Sequence, residues 1–266
     1  MAARQVTAFS PRHWVERALS AERAGHADLA LAEMESALAA YPQDAALAND
    51  AGSLAQRLGH YHLAETRFAA ALALAPTNPD FAINRAIALT ALGNSREAAA
   101  FLRTFESAGG RIARYWSVRA NAERSAGLMA EAGRSYDRCL ALEPNHARAL
   151  HGRARIAIER GEDDAIARFE RALATNPRDP DLWLGKAQAM EVAGDTSGAR
   201  DLIEQILVQA PGWLDGLRLL AQLKLADGSS DFADHYGTAA ARMPGNPAIA
   251  IAHANLLAVH DRFTDA

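Results

Sequence analysis

The chain has 266 residues, half of them apolar, and a formal net charge of -4. That is enough apolar material for a large core, and the acidic balance argues against a non-specific nucleic-acid binder, which carries a basic excess. Cys139 is the only cysteine, so no intrachain disulfide and no thiolate metal cluster can form, and no apolar run reaches the roughly 18 to 20 residues of a membrane span.

Residues 1–10 contain Arg4 followed by only a few apolar residues before Ser10, Pro11 and Arg12, which is too short for a signal-peptide core. They are expected to be a flexible N-terminal segment, and the chain is expected to be soluble and cytoplasmic. From there the sequence is periodic. Glycine recurs at Gly25, Gly59, Gly93, Gly127, Gly161, Gly194 and Gly228, in steps of 34 or 33. Each glycine is followed, sixteen or seventeen residues later, by Pro42, Pro76, Gly110, Pro144, Pro177, Pro211 and Pro244. The repeats therefore begin at Pro11, Ala45, Pro79, Ala113, Ala147, Pro180, Leu214 and Pro247, within one array spanning 11–266. Their eighth position is always small: Ala18, Gly52, Ala86, Ala120, Ala154, Ala187, Ala221 and Ala254. A second small position follows at Ala30, Ala64, Ala98, Ala132, Ala165, Ala199 and Ala266, with Phe232 the exception. A large position holds Met34, Phe68, Leu102, Tyr136, Phe169, Ile203 and Tyr236, and Trp14, Trp116 and Trp183 take the fourth position in three repeats.

Each repeat divides into two helices. Segments such as Arg67 to Pro76 are rich in alanine and leucine, which favour helix, and their proline stops it. The repeat glycine occupies the left-handed slot that ends the first helix. No stretch alternates as a strand does, so no sheet is expected. Two repeats bend the pattern. The third ends in FESAGG, with Phe105 in a usually small slot and Gly110 in place of proline, which predicts a loosened turn. The seventh loses one residue, and Gly237 weakens its second helix, so it should be the least regular.

The period with its small, large and terminal proline positions resembles the tetratricopeptide repeat (TPR) family over nearly the whole chain. The resemblance implies an all-α, right-handed superhelical solenoid of seven complete helix-turn-helix repeats plus a truncated eighth. It also implies a concave groove lined by positions 2, 5, 6, 9, 12 and 13 of each first helix, a protein or peptide partner held there, and no chemistry of its own. On those rows the fourth and fifth repeats place Arg114, Asn121, Arg124, Arg148, His151 and Arg155 as peptide-binding candidates. The two first helices, residues 113–126 and 147–160, hold seven arginines against Glu123 and Glu159, a formal +5. Arginine suits carboxylates, so an acidic peptide is the natural ligand. The competing reading is a solvated face: Arg119 with Glu123 and Arg155 with Glu159 are spaced to pair, and position seven carries a cation in five repeats. The lysine-asparagine carboxylate clamp of some relatives is not reproduced, since Asn49, Asn84 and Asn121 are scattered.

No other chemistry is expected: no cofactor, no metal, no nucleic acid and no membrane contact. His60 and His62 form an HxH pair in a turn, where they point to different faces. His26 and Asp28 spell HxD, but Asp28 suits the N-terminus of a helix. Cys139 reads as a buried small residue. The alternative to a stand-alone scaffold is the non-catalytic N-terminal region of a larger bacterial enzyme, an oxygenase, sulfotransferase or glycosyltransferase. The eighth repeat stops at Ala266, before its second helix is complete. Its exposed end, including Ile249, Ile251, Leu256, Leu257, Val259 and Phe263, is expected to be covered by further chain, a partner or self-association.

Overall fold

The computed structural model describes residues 10–260 and, among them, sixteen helices and no strand. They fall into two compact units, Met1–Ala149 and Leu150–Ala266, with the boundary inside the helix Ala147–Glu159.

In the first unit, the first helices of the repeats are α1 (Pro11–Arg23), α3 (Ala45–Arg57), α5 (Pro79–Ala91) and α8 (Ala113–Ser125). The second helices are α2 (Ala27–Ala40), α4 (Tyr61–Leu74), a broken pair α6 (Ser95–Arg103) and α7 (Glu106–Gly109), and α9 (Met129–Leu142). The second unit contains most of α10 (Ala147–Glu159), then α11 (Ala165–Thr175), α12 (Pro180–Val192), α13 (Thr196–Gln209), α14 (Leu214–Ala226), α15 (Asp234–Arg242) and α16 (Pro247–Val259).

Among the first helices, α1, α3, α5, α12 and α16 begin on side-chain caps, whereas α8 and α14 do not. Asp44 accepts from the Leu47 amide at 3.0 Å, Asn78 from Asp80 at 2.9 Å, and Asp179 from Asp181 at 3.0 Å. Proline then fills the first helical position of α1, α5, α12 and α16, where no amide is needed. They end on the seven periodic glycines, all at φ between 64° and 87°. A Cβ there would meet nothing within 4 Å, so backbone conformation and not crowding requires glycine. The next amide reaches back five residues, as in His26 to Ala21 (2.9 Å) and His60 to Ala55 (2.8 Å), which satisfies a carbonyl the helix end leaves open.

Small and large positions meet as expected. Ala30, Ala64, Ala98, Ala132 and Ala199 are fully buried, as are Ala86, Ala120, Ala154 and Ala187. Tyr136, Phe169, Leu102 and Ile203 are equally closed off. Trp116 and Trp183 each donate their indole N–H to the carbonyl of the preceding repeat's terminal slot, Gly110 at 2.8 Å and Pro177 at 2.9 Å. The tryptophan therefore anchors one repeat's first helix to the turn that delivers it.

The two irregular repeats have structural causes. In the third, the second helix breaks after Arg103 and resumes as the one-turn α7. A Cβ on Gly109 would lie 2.5 Å from the Tyr115 ring, and one on Gly110 would lie 2.6 Å from the Glu106 carbonyl oxygen. The paired glycines are thus spacers for Tyr115 and for the tightened backbone. In the seventh, α15 starts late, at Asp234. Phe232 fills the slot that is alanine elsewhere and is buried against Leu257.

At α16 the expectation of a bare apolar end holds for Ile251 and Val259, 59% and 77% exposed, and Leu256 is half-buried. It fails for Ile249 and Leu257, which are buried within the second unit itself, Ile249 beside Leu217 and Tyr236 and Leu257 beside Phe232. Phe263 and Ala266 lie outside the described residues.

Candidate functional site

In the first unit, the inward rows of α3, α5 and α8 are joined by a polar ladder. The Arg114 guanidinium donates to Asn84 Oδ1 at 2.7 Å, and Asn84 Nδ2 donates to Asn49 Oδ1 at 2.8 Å. Asparagines that look scattered in sequence are therefore one chain of contacts across three repeats. Different positions within the repeat (five, six and two) meet because neighbouring helices are offset, which spacing alone does not reveal.

Beyond the ladder, Asn121, Arg124 and Arg148 gather around the Tyr136 hydroxyl. That hydroxyl donates to Asn121 Oδ1. Burial pushes the phenol upward in pKa, while the charge and hydrogen bond of Arg124 and the charge of Arg148 pull it back. Arg124 is half-buried with its Nε enclosed and without a hydrogen-bond partner, and Arg114 and Arg148 are exposed. His151 and Arg155 lie on α10 in the second unit; His151 is half-buried and Arg155 exposed.

The arginine surplus divides into two kinds. Position-seven cations are structural. Arg17 pairs with Glu33, Arg85 with Glu65 at 2.8 Å, Arg153 with Glu162 at 2.7 Å, and Lys186 with Glu170 at 2.9 Å. Arg119 pairs with Glu123 at 3.0 Å and Glu106 at 2.7 Å. Burial works against the Arg119 charge, but hydrogen bonds to Glu106, Glu123 and Tyr115 outweigh it and raise its pKa. Glu123 is wholly enclosed and also accepts from the Ser135 hydroxyl at 2.6 Å. Arg160 lies 3.4 Å from Glu162. The formal +5 thus overstates the charge on offer. Of the two pairs expected along a helix, Arg119 with Glu123 forms, whereas Arg155 makes no ion pair with Glu159 among the described residues. Among the described residues, Arg114, Arg124, Arg148 and Arg155 are the four arginines of these helices with no carboxylate partner.

A cleft of about 270 Å³ lies between α1 and α3, at the other end of the first unit's inward rows, walled by Val15, Leu19, Leu54, Asp50, Ser53 and Arg57. Sequence reasoning missed it, although Val15, Leu19, Asp50, Ser53 and Arg57 occupy positions five, nine, six, nine and thirteen, the same rows that single out the arginines. The signal was there in the first two repeats. A net charge count hides it, since one carboxylate beside apolar residues leaves no surplus.

Elsewhere the chemistry-bearing residues stay apart. His60 and His62 are both exposed, one before α4 and one on its first turn, and the described residues hold no group of three metal-ligating side chains. Asp28 sits in the first turn of α2. Cys139 is fully buried, and burial pushes its thiol up to about 11. In the second unit, Lys224 donates to Asp231 at 2.7 Å and lies 3.5 Å from Glu204, which faces His235 at 3.8 Å. This network ties the irregular turn before α15 to α13 and α14.

Helix pairs that recur every 33 or 34 residues, with polar rows on the first helix of a pair, define a helical-repeat protein. The profile described as tetratricopeptide repeat matches residues 55–122 and 163–223, and the chain belongs to that family. It is 29% identical over 168 residues to Protein FlbA of Caulobacter vibrioides, a match that spans 63% of this chain and 28% of FlbA. It is also 29% identical over 137 residues to Cellulose synthase 1 operon protein C of Komagataeibacter xylinus, spanning 46% of this chain and 10% of that protein. The chain thus matches less than a third of either relative's length. In fold it is similar to a tetratricopeptide repeat protein from Parabacteroides merdae, with TM-score 0.69, 21% identity and coverage of 93% and 98% of the two chains. It is also similar to PilW, a type IV pilus biogenesis factor, with TM-score 0.71, 19% identity and coverage of 82% and 100%. No described helix is long and apolar enough to cross a membrane.

Proposed function

We propose that the protein is an interaction scaffold that holds a segment of a partner protein along the inward rows of its first helices, with the segment's acidic side chains on Arg114, Arg124 and Arg148. One observation carries this reading. The position-seven cations are spent on internal carboxylates, whereas these three are not, and Asn121 and Tyr136 orient the space between Arg124 and Arg148. Guanidinium groups free of internal carboxylates favour carboxylate ligands through paired hydrogen bonds. His151 and Arg155 enter the proposal through their row positions in the fifth repeat alone. The role proposed for the chain is binding, not catalysis. A second reading, a repeat region within a longer bacterial protein, has support in the small share of FlbA and of the cellulose operon protein that the chain matches.

The test is binding of fluorescent Glu/Asp-rich peptides to the 266-residue protein. Affinity should fall as salt rises, because exposed charges are screened over about 8 to 10 Å at moderate ionic strength. Arg114→Glu with Arg124→Glu should weaken binding at least tenfold while circular dichroism stays unchanged. Equal binding by the double variant would return these arginines to the solvated face.

A further inference from the structure

The inward rows of the first unit change character along their length. At one end, α8 and the start of α10 present Arg114, Arg124 and Arg148. At the other, the cleft between α1 and α3 is lined by the apolar Val15 and Leu19 of α1 and by Asp50, Ser53 and Leu54 of α3. Its charge is negative. Arg57 is held by both oxygens of Glu22, at 2.7 and 2.8 Å, so these two neutralise each other and Asp50 is left over. Asp50 has a hydrogen bond from the Asn49 side chain and no ion pair among the described residues. Removal of water by neighbouring atoms, more than any charge, raises its pKa. Asp50 stands exposed in the cleft lining, and the one cation acting on it, Arg57, is already held by Glu22, so this carboxylate favours a ligand that brings a cation of its own. At about 270 Å³ the space is smaller than the ~300–1,000 Å³ typical of small-molecule sites, and it suits one or two side chains.

We propose that this cleft receives an apolar side chain and an adjacent lysine or arginine from the same partner segment whose acidic residues meet the arginines of α8. The ligand is bipolar, and the proposal rests on the groove reading above. The spacing follows from the helices. α5 packs against both α3 and α8. Two steps of about 8–10 Å separate the axes of α3 and α8, roughly 16–20 Å in all. An extended chain advances about 3.3–3.6 Å per residue, so the basic and acidic residues stand about five or six apart. Between them stand Asn49 and Asn84, bonded to each other and to Arg114.

The experiment is selection of random twelve-residue peptides on the immobilised 266-residue protein, run in parallel on Asp50→Asn and Asp50→Lys. Enriched peptides should carry an apolar–basic pair five or six residues from an acidic pair. The basic preference should vanish with Asp50→Asn and turn acidic with Asp50→Lys, and a synthetic enriched peptide should lose at least tenfold in affinity for Asp50→Asn. Melting curves establish that both variants fold, as the exposure of Asp50 leads us to expect. Acidic peptides with no basic preference would overturn this inference and leave the scaffold reading intact. Apolar–basic peptides with no acidic preference would uphold the cleft and remove the arginine site. No enrichment at all would overturn both.

Discussion

Gly185, in the interior of α12, sets two effects of opposite sign against each other. Replacing it with alanine improves helix propensity by about 1 kcal/mol. The new methyl, however, would sit 2.2 Å from Phe169 Cε1 and 2.4 Å from Cζ. Carbon atoms pack best at about 3.5–4.0 Å, so the ring has to retreat by about 1.3 Å. Phe169 is fully buried on α11, in an interior packed too densely to give that distance without moving its neighbours. Overpacking of this kind costs about 1–3 kcal/mol, so Gly185→Ala should destabilise by up to about 2 kcal/mol net of the propensity gain. Calorimetric melting and urea titration of wild type, Gly185→Ala, Phe169→Leu and the double variant form a cycle. The double variant should be more stable than the sum of the single changes, with a coupling of about 0.5–3 kcal/mol. A stabilising Gly185→Ala, or additive behaviour in the cycle, would refute the close packing of α11 on α12.

Two further outcomes are expected. Trp183→Phe keeps the ring but deletes the hydrogen bond to the Pro177 carbonyl, and should cost about 1 kcal/mol in urea titration; no change would show that the indole N–H is satisfied equally well by water. Cys139, wholly buried and raised to about 11, stays protonated through neutral pH, so the native protein should resist a thiol reagent at pH 8 until denaturant is added. Fast labelling of the folded protein would contradict its burial.

The periodic glycines and the small and large positions were legible in sequence, because each answers to a local requirement repeated every 33 or 34 residues. A left-handed backbone needs glycine, and a close helix approach needs alanine. The broken second helix of the third repeat was legible as an anomaly at Phe105 and Gly110. Its cause, the Tyr115 ring lying where a Cβ on Gly109 would sit, was not. The candidate arginines were visible as a surplus, but their division into paired and unpaired depends on which second-helix carboxylates come within reach. Arg119 reaches Glu106 across thirteen positions, and Arg85 reaches Glu65 across twenty.

By itself, then, the sequence determined that this protein is an all-helical array of tetratricopeptide repeats, because helix propensity, caps and chain reversals act over a few residues and recur. Only tertiary structure decided which polar groups are available to a partner. Asn49, Asn84 and Arg114 become one ladder, and Val15, Leu19 and Asp50 become one cleft, through the offset of helices 30 or more residues apart. Charge–charge and hydrogen-bond partners are set by distance in space, which falls off within a few ångströms and bears no fixed relation to position in the repeat.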